Sequence, residues 1–290
     1  MKTRFPTENS SRPPSRDALT ILEMLVSTAI LSFIVLGLTA VFIQTQRAFK
    51  TGIKQSDVTD AGRTIMDMIG NDLRQMSDAR NQSVTNLYWG WAASNQLPQG
   101  IDGVIVRTNQ QDEIYILVHT NTVWTGIGYA VSNNGPCLGT LYRYVVSTNS
   151  PVIDYQLFSN FYSGISRQTF GSNWHAVADG VIHLKLRAFD QNGNEPYWES
   201  YYGDFSQKKD QNNAVEFSYP PYLSTNGLIT IISNTLPNSV ELELAVLEPE
   251  AFARAQALVG NSQAVSNYLF SSPNKVDVFR QRITIPVASR

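Results

Sequence analysis

Three features of the sequence predict an α+β fold in which one long N-terminal helix packs on an antiparallel β-sheet. The stretch Leu19 to Ile43, LTILEMLVSTAILSFIVLGLTAVFI, runs for twenty-five residues with Glu23 as its only ionisable side chain. No proline occurs between Pro14 and Pro98, so nothing interrupts a helix across that span. Beyond Arg80, short β-branched and alternating runs recur between turn-forming clusters, which is the pattern of an antiparallel sheet.

These features divide the 290 residues into a polar leader, 1–18, a helix over 19–79 and a β-rich domain over 80–290. The leader MKTRFPTENSSRPPSRDA sets Lys2, Arg4, Arg12 and Arg16 against Glu8 and Asp17, a formal +2, and has little to bury. Basic residues ahead of an apolar span keep that end in the cytoplasm and send the following domain across the membrane. Residues 19–43 exceed the ~20 needed to cross a bilayer. They also exceed the apolar core of about 7–15 residues in a cleaved signal peptide, and no A-x-A-like site closes the run.

From Ala48 to Ala79 the helix is expected to continue as an amphipathic one. Phe49, Ile53, Val58, Ala61, Ile65, Met68, Ile69, Leu73 and Met76 recur mostly at three- and four-residue steps. They are read as a core stripe, with Arg63, Asp67, Asp72 and Arg74 on the other faces. A single helix from about Thr20 to Met76 would be roughly 85 Å long.

Strands are predicted at Gly103–Thr108, Glu113–His119, Thr140–Ser147, Gly180–Phe189, Leu228–Ser233, Ser239–Leu247 and Val276–Pro286. Gln110-Gln111-Asp112 is read as the turn of a hairpin joining the first two. Val181, His183, Lys185 and Arg187 alternate with Ile182, Leu184, Leu186 and Ala188, the pattern of a half-buried strand. Asn192-Gly193-Asn194 marks a turn, and Gln191 to Tyr222 a long surface loop. Glu250 to Leu258 reads as a short helix behind Pro249. Ser163 to Ser166 reads as a loop.

Composition narrows the function classes. Net charge is -2, so no basic field is available to hold nucleic acid. A lone cysteine, Cys137, excludes both an internal disulfide and a cysteine-rich zinc site. His119, His175 and His183 show no metal-binding spacing and are read as surface or internally satisfied. Asp102, Asp112 and Glu113, or Asp204, Asp210 and Glu216, carry the right atoms for calcium but not the order of a known loop. No nucleophile motif or phosphate loop occurs. The reading is therefore no enzyme, no catalytic residue, no metal and no cofactor. Trp89, Trp91, Trp124, Trp174 and Trp198 offer a glycan platform as an alternative to ordinary core packing.

Glu23 is the awkward residue. A charge within a membrane span costs a few kcal/mol and usually faces a partner. The surrounding Asp17-Ala18-Leu19-Thr20-Ile21-Leu22-Glu23-Met24-Leu25-Val26 resembles the type IV prepilin processing site. In that family a basic leader ends in a small residue. The mature chain then opens with an apolar residue, Thr or Ser, two apolar residues and a fifth-position Glu. The resemblance puts cleavage by a prepilin peptidase between Ala18 and Leu19, with N-methylation of Leu19. Ala18 stands where Gly is usual, and Leu19 where Phe or Met is usual. The family's bend-inducing proline is absent, and Gly37 is the flexible residue in its place.

Segment order extends the resemblance more loosely. The long helix, VADGVIHLKLRAFDQNG with the following Trp198, and LPNSVELELAVL are similar to the J-type minor pseudopilins of type II secretion and to PilW-like minor pilins. This implies a single-pass inner-membrane protein with its domain in the periplasm. It would be a tip or initiation subunit of the pseudopilus, with other pilin-like subunits as partners through the N-terminal helix. Thr20 and Glu23 become assembly residues, Glu23 neutralising the Leu19 amine of a neighbour. The alternatives are a minor subunit of a type IV pilus and a membrane-anchored adhesin or glycan-binding module.

Overall fold

A computed structural model describes residues 20–79, 81, 84–92, 97–101, 105–132, 138–149, 156–167, 169–193, 227–233, 236–272 and 275–286. The α+β expectation holds. Helix α1, Ile21–Arg74, precedes an antiparallel sheet, and together they have a pilin-like architecture. The chain separates into two compact units, Met1–Ile53 and Lys54–Arg290. The described part of the first is exposed helix, apolar as far as Ile43 and polar beyond it. The second holds the remainder of α1 and the sheet.

The strands of the second unit are β1 (Thr85–Ala92), β2 (Leu97–Ile101), β3 (Ile105–Asn109), β4 (Glu113–Thr120), β5 (Val123–Val131), β6 (Gly139–Thr148), β7 (Trp174–Phe189), β8 (Gly227–Ser233), β9 (Ser239–Leu247) and β10 (Val276–Thr284). Eight form one sheet in the order β10-β9-β7-β6-β5-β4-β1-β8, and β2 and β3 form a separate hairpin. Three short helices complete the unit: α2 (Gln156–Ser166), α3 (Pro249–Ala257) and α4 (Ser262–Ser271).

Both faces of the sheet are covered. Strand alternation sends Leu87, Ile114, Ile116, Val118, Ile127 and Tyr129 to one face, with Leu184, Leu186, Leu242 and Leu244 beside them. There they meet Val58, Ile65, Met66, Ile69 and Leu73 of α1. On the other face Tyr88, Tyr115 and Tyr144 pack against Leu157, Phe161 and Ile165, a single stripe on α2. Farther along, Ile182, Ala245 and Leu247 pack on Ala251, Phe252 and Ala255 of α3 and on Val265 and Leu269 of α4. At about 25 cal/mol per Å² of apolar area, these three layers are the dominant stabilising term of the unit.

Two glycines allow close approaches. A Cβ at Gly62 of α1 would sit 2.1 Å from the Phe279 ring of β10, so only glycine lets that strand meet the helix. Gly180 adopts φ +79, a conformation costly for other residues, at the point where β7 changes partner. β7 pairs with β6 from Trp174 to Val181 and with β9 from Val181 to Phe189. The register slips near Val181, so Val181 and Ile182 are both fully buried, against the strict alternation expected there.

The expected hairpin across Gln110–Asp112 does not form. Strand β3 pairs with β2, and β4 pairs with β1 and β5. Gln110–Asp112 instead covers the stretch of β7 that β6 does not reach. Leu184 donates its N–H to the Gln110 carbonyl at 2.8 Å, and Asp112 donates to the Leu184 carbonyl at 2.7 Å. Leu186 N–H donates to Asp112 Oδ2 at 2.8 Å, so a side chain continues the ladder. The Ser163 to Ser166 loop reading is also corrected, because these residues form the last turn of α2.

Asp72 does not lie on an outer face. It is buried, and Arg143 of β6 donates to it through Nε at 2.8 Å and Nη2 at 3.1 Å. The Tyr129 hydroxyl also donates to Asp72, and itself accepts from Arg143 Nε at 3.1 Å. This two-pronged arrangement pins α1 to the middle of the sheet. Near the start of the packed portion, Lys54 pairs with Glu250 of α3, and Thr59 Oγ1 donates to Asp277 of β10 at 3.2 Å. Phe49, Ile53 and Ala61, read as part of the core stripe, are exposed; burial begins at Val58.

Candidate functional site

The site is the apolar beginning of α1. Helix propensity alone does not hold an isolated amphiphile in water, and this segment is apolar on every face. Leu22, Leu25, Leu31, Phe33, Leu36 and Phe42 are all more than 60% exposed. α1 contains the one helix span among the described residues that is long and apolar enough to cross a membrane. A single-pass anchor is consistent with this.

Four hydroxyls on the segment are satisfied locally. Thr28, Ser32, Thr39 and Thr45 each donate a hydroxyl hydrogen to the carbonyl four residues back, at 2.8–2.9 Å. In hydrocarbon an unmet donor costs several kcal/mol, so this arrangement suits a nonaqueous environment.

The helix start carries a reciprocal cap. Thr20 precedes the first helical residue, and Glu23 N–H donates to Thr20 Oγ1 at 3.3 Å. In return Thr20 donates its N–H at 2.9 Å and its hydroxyl at 3.1 Å to Glu23 Oε2. This is a capping box, which satisfies two of the helix's orphan N–H donors and places negative charge at the positive end of the helix dipole. The Thr-x-x-Glu spacing that announces it is plain in the sequence, yet the sequence reading assigned Thr20 and Glu23 to assembly alone. Oε2 takes all of the capping bonds. No hydrogen bond to Oε1 is present among the described residues. Ala18 and Leu19 lie outside the described residues.

The other candidates do not converge. Asp112 and Glu113 are adjacent on the chain but separate in role. Asp112 caps β7, while Glu113 accepts from the Tyr88 hydroxyl at 3.2 Å. Burial pushes both carboxyls up to about 7. His183 is buried, accepts the Gln110 N–H at Nδ1 at 2.9 Å, and brings Nε2 within 3.6 Å of Glu243. His183 and Arg280 hold the Glu243 carboxyl down at about 2. His119 stacks on Trp124 with ring centroids 3.9 Å apart, and His175 is exposed on β7. No group of three His, Cys, Asp or Glu positioned to hold a metal occurs among the described residues. Asp102, Asp204, Asp210, Glu216, Cys137, Trp198 and the side chain of Trp91 lie outside them. Trp89 and Trp174 are buried in different cores, so they do not form a platform with Trp124.

No protein-family model matches the chain, and neither does any curated protein or solved structure.

Proposed function

We propose that the chain is a non-catalytic assembly subunit of a pilin-type filament, a minor pseudopilin acting at the tip of a type II secretion pseudopilus. The supporting observation is the combination at the start of α1. A capping box engages one carboxylate oxygen of Glu23 at the start of an otherwise apolar and exposed helix segment. In this reading prepilin peptidase cuts after Ala18 and methylates the Leu19 amine, which then lies one helical turn before Glu23. The helix first spans the inner membrane, with the folded unit in the periplasm. It then moves into a bundle of like helices.

The chemistry of that transfer follows from the charges. Processing creates a cation in the same apolar layer as Glu23. A buried ion pair adds little net stability, but leaving either member alone is expensive. Glu23 of an entering subunit therefore sets register by pairing with the Leu19 amine of its neighbour, and the Thr20 cap keeps the carboxylate aimed. Mass spectrometry of the mature protein tests the processing step, and any N-terminus other than methylated Leu19 would sink it. Glu23→Val tests the pairing step. Membrane insertion is expected to persist while filament incorporation falls about tenfold or more. Incorporation at the wild-type level would remove the pairing role.

A further inference from the structure

We propose that the turns of α1 just beyond its apolar segment bind the headgroups of anionic phospholipids through Arg47 and Lys50. The proposal rests on that segment spanning a membrane, and not on assembly into a filament. Between Glu23 and Asp57 the charged residues are Arg47, Lys50 and Lys54, all of them cations. A helix face that meets only water usually mixes acids with bases at three- and four-residue steps. This one carries bases alone, directly after an apolar run.

Position gives these cations a depth. At 1.5 Å per residue, Arg47 lies roughly 6 Å past Ile43 along the helix and Lys50 roughly 10 Å. The headgroup layer on one side of a bilayer extends about 5–8 Å beyond the hydrocarbon. Helical side chains lean towards the helix N-terminus, which here is back towards the apolar segment. Both long side chains therefore carry their charges to the level of the lipid phosphates. The three-residue step puts them side by side on one face. Phe49, 70% exposed, takes the opposite side and continues the line of Phe42, so these turns have the two-sided character of an interfacial helix.

The three cations differ in what answers them. Lys54 pairs with Glu250, so its charge is met within the folded unit. Arg47 and Lys50 are exposed and have no carboxylate within ion-pair reach among the described residues. A phosphodiester supplies the missing anion, bound by the guanidinium through paired N–H donors and by the ammonium as a point charge. Free phosphate offers the same chemistry, but two exposed side chains do not enclose it. A lipid has a second attachment, because its acyl chains lie along the same apolar helix that carries the cations. An anionic headgroup is favoured over a zwitterionic one, whose own choline already answers its phosphate.

The test uses the full chain, delipidated in detergent micelles and titrated with phosphatidylglycerol, phosphatidylcholine or soluble glycerol phosphate, with bound molecules counted by native mass spectrometry. Phosphatidylglycerol is expected to bind about tenfold more tightly than phosphatidylcholine, and glycerol phosphate not measurably. The double variant Arg47→Gln, Lys50→Gln should bind the two lipids equally. Lys54→Gln removes the same kind of charge one turn farther on and should keep the preference. Glutamine is a good helix former and all three sites lie on the helix surface, so circular dichroism should not change. Equal binding of the two lipids by the wild type would overturn the proposal. So would a preference that survives the double variant, its loss in Lys54→Gln, or glycerol phosphate binding as tightly as the lipid. Uptake of neither lipid would remove the membrane anchor along with it.

Discussion

The two portions of α1 belong to one unbroken helix and obey different rules. Residues up to Ile43 are apolar on all sides and bare; those after Val58 are apolar on one side and buried along it. Composition governs the first portion, because a helix without a polar face needs a nonaqueous surrounding on every side. Pattern governs the second, because a single stripe needs only one partner, the sheet. The contrast teaches that this helix is two devices in series. One is completed by the chain itself, and the other awaits something outside it.

Substitutions sharpen that contrast. Leu73→Ala, at a fully buried position, should destabilise the folded unit by about 2–5 kcal/mol. Leu31→Ala, in the bare portion, should leave its denaturant midpoint in detergent unchanged. Equal effects would break the division. Asp72→Ala strips Arg143 and Tyr129 of their shared acceptor and is expected to cost about 2–3 kcal/mol, somewhat below a fully enclosed pair because Arg143 retains some exposure. Gly62→Ala pushes a methyl into the Phe279 ring and should cost about 1–2 kcal/mol, whereas Gly52→Ala meets nothing and should be neutral or slightly stabilising. Both are read from urea midpoints.

The smallest effect is one of pH. Asp112 and Glu113 have folded values raised to about 7. The folded unit therefore holds their protons more tightly than the unfolded chain does. Their contribution is full below the ordinary carboxyl range near 4 and is lost as pH rises through about 7. Glu243 acts in the opposite sense. Held at about 2, it contributes above the ordinary range and loses that contribution as pH falls towards 2. Stability should thus peak on the acidic side of neutral. Glu113→Gln should flatten part of the decline between about pH 4 and 7, measured as urea midpoints across that range. An unchanged slope would show that Glu113 does not titrate there.

Much of this fold was legible because it was periodic. The long helix, the strands around Leu184, Leu242 and Ile283, and the helix behind Pro249 all follow from spacing. What escaped depended on contacts distant in sequence. Asp72 looked like a surface acid because its partners, Tyr129 and Arg143, sit on strands far along the chain. Strand β1, with three large aromatic side chains and a glycine in TNLYWGWA, lacked a clean alternation and was missed. Strand β5 was missed because Gly126 and Gly128 dilute it. Those glycines are required, since a Cβ at either would meet the rings of Tyr115 or Phe161. At the candidate site the sequence supplied Thr20 and Glu23, and geometry added their mutual cap.

The contact between α1 and β10 also orders events in time. Thr59 and Asp277 lie 218 positions apart, yet they bond across the same layer in which Phe279 fills the notch at Gly62. Synthesis delivers the helix early and this strand late. The face of α1 that β10 will cover therefore stands open until the last strand is made. Closure of that layer is a late, long-loop step, slow by the entropy of joining distant segments. During that interval the apolar stripe through Ile65 and Ile69 lacks part of its cover.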